Sequence, residues 1–376
     1  MMLFSFSILV IYTILIGSLC WGFHKLPKFK TKNHSEKTEF SIIIPFRNEA
    51  IHLPELLQSI SKLNYTKNHF EILFINDSSE DNSEALVSDF IKSHEHFQIK
   101  LLQNNRVSNS PKKDAISLAI SQSKFEWILT TDADCALPKT WLITFNSFIQ
   151  QNKTCQFIVA PITYFTTSNF LNIFQWFDVM SLQGATLGGF GIKSPFLCNG
   201  ANLGYKKEAF YNVNGFSEND TIASGDDIFL LEKISKKHPE GVQYLKSEDA
   251  VIYTHAQPTV SDLISQRKRW ASKTKAYTNR FSQITGLLVL SMNALLLILF
   301  IFSSFEDFPT YVLISICLVK FTIDFILIYK SASFFNQKKP LKWYPLVAVL
   351  YPVFCTYVAI SSLFTTYTWK DRVFEK

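Results

Sequence analysis

Four long apolar stretches mark the chain, one near its first residue and three toward its last. They cover residues 2–23, 284–305, 310–329 and 343–364. A helix rises about 1.5 Å per residue, so about twenty residues cross a hydrocarbon core of ~30 Å. The pattern therefore predicts four membrane-spanning helices. Pro345 and Pro352 lie in the fourth stretch and leave a re-entrant or interfacial course open.

Basic residues beside these stretches indicate how the chain is oriented. Lys25, Lys28, Lys30 and Lys32 follow the first stretch, and further basic residues at 267–280 precede the second. Because cytosolic loops carry an excess of Lys and Arg, we expect both clusters in the cytosol. The first stretch has no basic residue ahead of it and no clear cleavage site, so we expect a retained anchor rather than a signal peptide.

These expectations define three regions of the chain. Residues 1–23 are an N-terminal transmembrane anchor, residues 24–282 a cytosolic domain, and residues 283–376 a membrane region with about three helices. We therefore expect an integral protein of the plasma or inner membrane, in contact with the lipid bilayer. The net charge is only +6, and the basic residues cluster beside the apolar stretches, so we expect no nucleic-acid partner.

Short apolar runs alternate with helical patterns between the first and second apolar stretches. The runs predict strands at 40–45, 70–76, 99–103, 127–131 and 156–161, with helices at 49–62, 83–92, 113–122 and 141–150. This alternation predicts an α/β fold with a mostly parallel sheet. Such sheets bind ligands beyond the carboxyl ends of their strands. Asn48, Glu49, Asp77, Asp132 and Asp134 all fall at strand ends, which predicts a site there.

Residues 165–191 differ in character from the rest of this region. Phenylalanines recur at helical spacing, and the stretch contains no Lys or Arg. An amphipathic helix at a membrane surface usually carries basic residues on its polar face. We therefore expect a helix that either packs against the membrane spans or belongs to a protein core.

Asp132 and Asp134 follow an apolar strand with one residue between them. Two carboxylates at a strand end suit Mg²⁺ or Mn²⁺, which take oxygen ligands and often share them with substrate phosphates. A metal held there would neutralise charge on a departing diphosphate. The same spacing is also common on solvated turns, so this pair alone does not establish a metal site.

Three other aspartates fit either a chemical role or a helix cap. Asp77 follows a buried strand, where it could bind a nucleotide base or ribose, or cap the next helix. Asp226 and Asp227 precede an apolar helical run, and the helix dipole would keep a carboxylate ionised at that position. An ionised aspartate beside an acceptor hydroxyl can act as a general base.

Gln266, Arg269 and Trp270 have the i, i+3, i+4 spacing that places side chains on one helix face. Arginine can neutralise a diphosphate, and tryptophan offers an apolar platform for a sugar ring. The alternative is a basic cluster with an interfacial tryptophan beside a membrane span. Lys320 and Asp324 lie inside the third apolar stretch, where they either pair with each other or line a polar passage.

The ordered series of these motifs resembles the family 2 glycosyltransferases of the nucleotide-sugar-binding α/β type. It is most similar to the membrane-integrated branch that includes cellulose, chitin-oligosaccharide, hyaluronan and poly-N-acetylglucosamine synthases and ceramide glucosyltransferase. The resemblance covers about residues 40–280. It implies a GT-A-type α/β fold with a mostly parallel sheet, flanked in the sequence by transmembrane helices.

The resemblance also implies roles for particular residues on the donor side. Asp132 and Asp134 would hold Mg²⁺ or Mn²⁺, and Asp77 would contact the uridine. Besides Asp77, the donor-binding residues that it implies are Pro45, Asn48, Glu49, Lys112, Arg269 and the metal ligand Asp132. Lys113 is a rival for Lys112, because Pro111 stands where the family usually has a glycine before the lysine.

On the acceptor side, the resemblance implies that Asp227 is the catalytic base, with Asp226 completing the acidic pair. The residues implied to bind the acceptor are Asn199, Gly200, Gln266 and Trp270. Asp226 stands where the family often has Glu, and Asn76 stands where it often has Asp.

These assignments predict an inverting membrane glycosyltransferase that moves a sugar from a UDP-sugar to a growing glycan of the cell envelope. Its catalytic domain would be cytosolic, and a membrane or export partner subunit would fit a chain with so few spans. A single-addition lipid glycosyltransferase of the ceramide type remains an alternative, because it carries a similar Gln-x-x-Arg-Trp motif. A non-catalytic membrane scaffold is a further alternative.

Overall fold

The structure is a computed structural model that describes residues 1–32, 35–220, 222 and 224–364, and the backbone of 367–369 and 372–374. The chain divides into two compact units. We call one the helical unit, made of Met1–Leu26, Thr166–Leu197 and Ala256–Lys376. The other, the sheet unit, is made of Pro27–Phe165 and Cys198–His255.

Helices and strands are numbered separately in chain order. The strands are β1 (Phe40–Phe46), β2 (Phe70–Asn76), β3 (Gln98–Gln103), β4 (Trp127–Thr130), β5 (Cys135–Ala136), β6 (Phe157–Val159), β7 (Ile162–Tyr164), β8 (Leu203–Lys206), β9 (Val242–Tyr244), β10 (Ile252–Thr254), β11 (Tyr367–Trp369) and β12 (Arg372–Phe374). The α-helices are α1 (Met2–Lys25), α2 (Leu53–Ser61), α3 (Ser83–Ser93), α4 (Pro111–Gln122), α5 (Trp141–Gln151), α6 (Phe170–Gly191), α7 (Lys207–Asn212), α8 (Asp226–Lys237), α9 (Val260–Ser272), α10 (Arg280–Ser304), α11 (Thr310–Phe334) and α12 (Tyr344–Phe364).

The sheet unit is built on a sheet whose strand order, within the described residues, is β3-β2-β1-β4-β8-β6-β9. Strands β1 to β4 run parallel, and β6 pairs in parallel with β9. Strand β8 runs antiparallel to both of its neighbours, β4 and β6. The predicted α/β fold with a mostly parallel sheet is thus confirmed.

The inner strands are mainly apolar, as expected of a sheet that helices cover on both faces. Strand β2 is buried along its whole length, and β1 is buried except at Pro45. The core also takes in Trp141, whose indole N–H donates to the side chain of Asn202 at 3.0 Å. Because β1, β2 and β4 run parallel, the loops that follow them leave the sheet at the same edge.

The four predicted spans correspond to helices α1, α10, α11 and α12 of the helical unit. Each is long and apolar enough to cross a membrane. Helix α12 continues through Pro352 without a break.

Helix α6 packs against α1 through glycines. A Cβ atom on Gly191 would lie 1.8 Å from the carbonyl oxygen of Gly22, and one on Gly188 would lie 2.5 Å from that of Leu19. Such close approach requires residues without side chains. Of the two interpretations of residues 165–191, packing against the predicted spans is confirmed.

Polar side chains inside the apolar helices pair with one another. Lys320 lies 3.0 Å from Asp324 on α11, which confirms the predicted ion pair. Lys320 also donates to the side-chain oxygen of Asn293 on α10, at 3.2 Å. The hydroxyl of Tyr12 on α1 donates to Asp324 at 2.8 Å, so the ion pair joins three helices.

Candidate active site

Asn48, Asp77 and Asp132 lie in the loops after three parallel strands of the sheet unit, β1, β2 and β4. Asp77 directly follows β2, and its backbone N–H donates to the carbonyl of Phe46 at the end of β1. Asp132 and Asp134 follow β4, the strand on the other side of β1. The topology thus brings these carboxylates to the edge where α/β sheets bind ligands.

Asp77 is a buried carboxylate that basic and amide side chains hold in place. Its Oδ1 accepts hydrogen bonds from Arg106 Nε at 2.7 Å and from Asn104 Nδ2 at 2.8 Å. Its backbone carbonyl accepts from Arg47 and from Arg106, each at 3.0 Å. Sequence reasoning did not identify Arg106 or Asn104, since they lie in a loop after β3 without a recognisable motif.

The Pro45 to Glu49 segment turns sharply at the end of β1. Asn48 adopts a left-handed backbone with φ of 51°, and its side-chain oxygen accepts from the backbone N–H of Glu80 at 2.8 Å. The backbone N–H of Glu49 donates to Ser83 Oγ at 2.8 Å. Asn48 and Glu49 therefore fasten the loop after β1 to the segment that leads into α3.

Lys112, in the first turn of α4, lies between two of the predicted site carboxylates. Its Nζ is 2.7 Å from Asp132 Oδ1 and 3.4 Å from Asp226 Oδ2. Burial lowers the pKa of Lys112, but the carboxylates, first Asp132 and then Asp226, outweigh burial and raise it above its ordinary value. Lys112 is therefore a fixed cation between the residues predicted for the donor and those predicted for the acceptor.

Lys113 has a different position, although it adjoins Lys112 in the sequence. Its side chain is almost completely buried, and its Nζ donates to the carbonyl oxygens of Asn219 and Ile222, at 2.6 and 2.8 Å. It also lies 4.9 Å from the ring centre of Phe229 on α8. Lys113 thus braces the segment before the acidic pair, and Lys112 is the lysine that contacts the site carboxylates.

Asp226 and Asp227 begin helix α8. The residue before them, Gly225, has φ of 87°, a left-handed conformation that glycine adopts without strain. Asp227 accepts hydrogen bonds from the backbone N–H of Gly200 at 3.2 Å and from its neighbour Ile228 at 2.7 Å. These donors and the positive end of the helix dipole favour the ionised carboxylate.

Gly200 allows the acidic pair and Lys112 to approach the chain closely. A Cβ atom there would lie 3.0 Å from Asp226 Oδ2 and 3.4 Å from Lys112 Nζ. Thr130 at the end of β4 fixes this glycine by donating to its carbonyl at 3.0 Å. Asn199 accepts from the backbone N–H of Ala201 at 2.9 Å and so shapes the turn that contains Gly200.

Asp132 and Asp134 are partly exposed, whereas Ala133 and Cys135 are buried, so the two carboxylates face the open side of the turn. Burial raises the pKa of the Cys135 thiol, and Asp134 and then Asp132 raise it further, so this thiol stays protonated. Within the described residues, the structure contains no group of three His, Cys, Asp or Glu side chains placed to hold a metal.

Gln266, Arg269 and Trp270 lie on α9 in the helical unit, and all three are partly buried. Between them, Arg267 is buried, and its guanidinium carbon lies 4.0 Å from the ring centre of Trp270. This arginine also pairs with Asp178 of α6 at 2.6 Å. Sequence reasoning assigned no role to Arg267 or Asp178.

Comparison with known proteins shows what this chain is similar to. Residues 41–213 match the family described as Glycosyl transferase family 2. The chain is 25% identical over 278 residues to poly-beta-1,6-N-acetyl-D-glucosamine synthase of Staphylococcus epidermidis, covering 71% of this chain and 64% of that protein. It is 29% identical over 116 residues to TarS of Staphylococcus aureus, a poly(ribitol-phosphate) beta-N-acetylglucosaminyltransferase, covering 31% of this chain and 20% of that protein.

The fold is similar to that of a solved enzyme, the mannosyltransferase PcManGT from Pyrobaculum calidifontis in complex with GDP-Man and Mn²⁺. The TM-score is 0.55 at 15% identity, and the match covers 95% of this chain and 98% of that one. This likeness supports the GT-A-type fold. A segment of the chain is therefore similar to family 2 glycosyltransferases, and other segments form helices that are apolar enough to span a membrane.

Proposed function

We propose that this protein is an inverting membrane glycosyltransferase that moves a sugar from a UDP-sugar to a growing cell-envelope glycan. The observation that carries this proposal is the cluster around Lys112, in which one cation bridges Asp132 and Asp226. The cluster thus joins Asp132, a proposed ligand of the metal that would bind the donor diphosphate, to Asp226 of the acidic pair proposed to act on the acceptor. The relatives named above, which make or decorate bacterial glycans with N-acetylglucosamine, favour N-acetylglucosamine as the sugar.

The donor would bind across the carboxyl ends of β1, β2 and β4. Asp77, held by Arg106 and Asn104, would contact the uridine base. Asn48 and Glu49 shape the adjacent loop, and Lys112 provides positive charge for the diphosphate. Arg269 would contribute a second positive charge.

Asp132 and Asp134 fit Mg²⁺ or Mn²⁺, because they offer carboxylate oxygens on one side of a turn and leave room for diphosphate and water ligands. Such an ion would supply charge neutralisation for the leaving diphosphate. The contact of Lys112 with Asp132 is to Oδ1, so this carboxylate would share its two oxygens between the lysine and the ion.

Asp227 would be the general base. In the proposed reaction it takes the proton of an acceptor hydroxyl, and the hydroxyl oxygen forms a bond to the anomeric carbon as the bond to UDP breaks. Attack from the face opposite UDP inverts the anomeric configuration. The N–H groups of Gly200 and Ile228 keep the carboxylate oriented, which reduces the reorganisation that the step requires.

The candidate spans would anchor this site at the bilayer with the catalytic domain on the cytosolic side. The chain spans 64% of the length of the Staphylococcus epidermidis synthase it matches. A partner subunit for export is a further part of the proposal. Polymer extension is the better supported role, since the curated relatives act on polymers rather than on single lipids.

The test uses the full chain in lipid nanodiscs with Mg²⁺ or Mn²⁺ and a panel of UDP-sugars. Mass spectrometry of the products follows UDP release and glycan length. We expect turnover of UDP-N-acetylglucosamine and a ladder of oligosaccharides. One sugar added to a lipid would move the protein to the glycolipid class, and folded protein without turnover would support the scaffold alternative.

A further inference from the structure

Arg267 is a buried arginine within the Gln-x-x-Arg-Trp motif on α9. It occupies one of the two x positions, to which the motif assigns no role. Only 6% of its surface is exposed. Its guanidinium donates to the side-chain oxygen of Gln266 and lies 4.0 Å from the ring centre of Trp270. One side chain thus touches both residues proposed to bind the acceptor.

Asp178 on α6 holds this guanidinium in place, and Tyr351 on α12 in turn holds Asp178. Arg267 Nε donates to Asp178 Oδ2 at 2.6 Å, and Asp178 is itself 4% exposed. The other carboxylate oxygen of Asp178 accepts from the hydroxyl of Tyr351 on α12 at 2.9 Å. The carboxylate therefore connects α6, α9 and α12 within the helical unit.

Helix α6 also holds the segment that leads into α9. The side chain of Gln175, one turn before Asp178, accepts from the backbone N–H of Gln257 at 2.8 Å and donates to its carbonyl at 2.9 Å. Gln175 is completely buried, so these two bonds are shielded from water. The two contacts fix the position of α9 along α6.

We propose that Arg267 is a positioning residue for the acceptor, held by Asp178 and Tyr351, and that it sets the orientation of Gln266 and Trp270. This proposal rests on the acceptor role assigned to those two residues under the proposed function. Arg267, Asp178 and Tyr351 would act on the acceptor only through Gln266 and Trp270. Arg269, assigned to the donor diphosphate, is not part of the contact.

The physical argument depends on what a buried arginine requires. A charge buried this deeply is destabilising unless it is paired and hydrogen-bonded, and Asp178 meets that need. The planar guanidinium can then donate at its edge while its face stacks on an indole ring, which lysine cannot do. Gln266 and Trp270 consequently lose rotamer freedom before a glycan arrives, and preorganisation of this kind improves binding.

The experiment compares three variants of the full chain in nanodiscs. Arg267→Met removes the guanidinium but keeps an apolar stem. The double variant Arg267→Met/Asp178→Asn also removes the unpaired buried carboxylate, and it keeps an acceptor for Tyr351. Lys268→Met is the matched control, because it removes the neighbouring cation on the same helix. The ammonium of Lys268 lies 5.7 Å from the ring centre of Tyr357.

Initial rates are measured against UDP-N-acetylglucosamine and against a short β-1,6-linked N-acetylglucosamine oligosaccharide. We expect Arg267→Met and the double variant to raise the acceptor KM about tenfold, the worth of a hydrogen bond or two, while the donor KM stays within about twofold. The double variant should unfold at the wild-type temperature. Lys268→Met should match the wild type in both KM values.

An acceptor KM that returns to the wild-type value in the double variant would overturn the proposal, because the single defect would then come from an unpaired charge. Equal rises in both KM values would overturn it too.

A readout without substrate separates this proposal from the proposed function. Acrylamide quenching of Trp270, taken as the difference from a Trp270→Phe chain, should increase in Arg267→Met even if the wild type transfers no sugar. Unchanged quenching would contradict the proposal.

Discussion

The ammonium group of Lys112 lies 2.7 Å from a carboxylate oxygen of Asp132. The two residues come from different elements, since Lys112 lies in the first turn of α4 and Asp132 follows β4. The same ammonium reaches Asp226 at the start of α8, at 3.4 Å. A single cation thus holds together three separate segments of the candidate site.

The first prediction contrasts two neighbouring lysines. Lys112→Met should lower kcat about 100-fold, because the diphosphate loses a preorganised positive charge. Lys113→Met should act mainly on stability and lower it by about 1–3 kcal/mol, because two carbonyl oxygens lose the buried ammonium group that donates to them. Sugar-transfer rates and thermal unfolding in nanodiscs check both variants. Equal activity losses with equal melting temperatures would contradict the distinction.

The second prediction concerns pH. The neighbouring carboxylates raise the pKa of Lys112 above its ordinary 10.5. A raised pKa in the folded state means that the stabilisation is present below the ordinary pKa and is lost as pH rises through the folded value. The stability difference between the wild type and Lys112→Met should therefore be constant from about pH 7 to 9. Thermal unfolding across that range checks it, and a difference that falls steadily toward pH 9 would contradict it.

The third prediction uses a glycine. Gly200→Ala would place a methyl group 3.0 Å from Asp226 and 3.4 Å from Lys112, so the ion pair must open or the turn must shift. We expect transfer to fall about tenfold or more, since small displacements of catalytic groups are costly. Gly286→Ala is the control, because its added Cβ would meet nothing within 4 Å. Wild-type rates in Gly200→Ala would show that the close approach has no catalytic importance.

The fourth prediction concerns the ion pair inside the apolar helices. Asp324→Ala would leave the ammonium of Lys320 buried without its carboxylate, which should destabilise the protein by about 3–5 kcal/mol. The double variant Asp324→Leu/Lys320→Met should recover most of that loss, because it buries no charge. Thermal unfolding in nanodiscs distinguishes the two. A single variant as stable as the wild type would mean that the pair is not structural.

The sequence predicted most of the sheet because local pattern and long-range packing agree there. Strand β2 was predicted with its observed bounds, and β1 to within one residue, because both are mainly apolar and bounded by polar loops. Strand β8 was not predicted. It contains a glycine, Gly204, and it is short and follows a turn, so only its pairing with β4 and β6 defines it as a strand.

The candidate site was predictable where a motif has fixed spacing. Lys112 and Lys113 could not be told apart, because the direction of each side chain from the start of α4 depends on the tertiary fold. Arg106 and Asp178 could not be found at all. Each matters through a partner more than twenty residues away, Asp77 and Arg267 respectively, and a single sequence carries no record of such contacts.

The central claim is that Asp227 is the base for sugar transfer from a UDP-sugar. The most direct test measures glycan formation from UDP-N-acetylglucosamine by the wild type and by Asp227→Asn, in nanodiscs with Mn²⁺, beside UDP binding by calorimetry. The account predicts that the variant binds UDP as the wild type does but loses transfer by about 1000-fold or more, the contribution of a general base. Transfer by Asp227→Asn at the wild-type rate would contradict it.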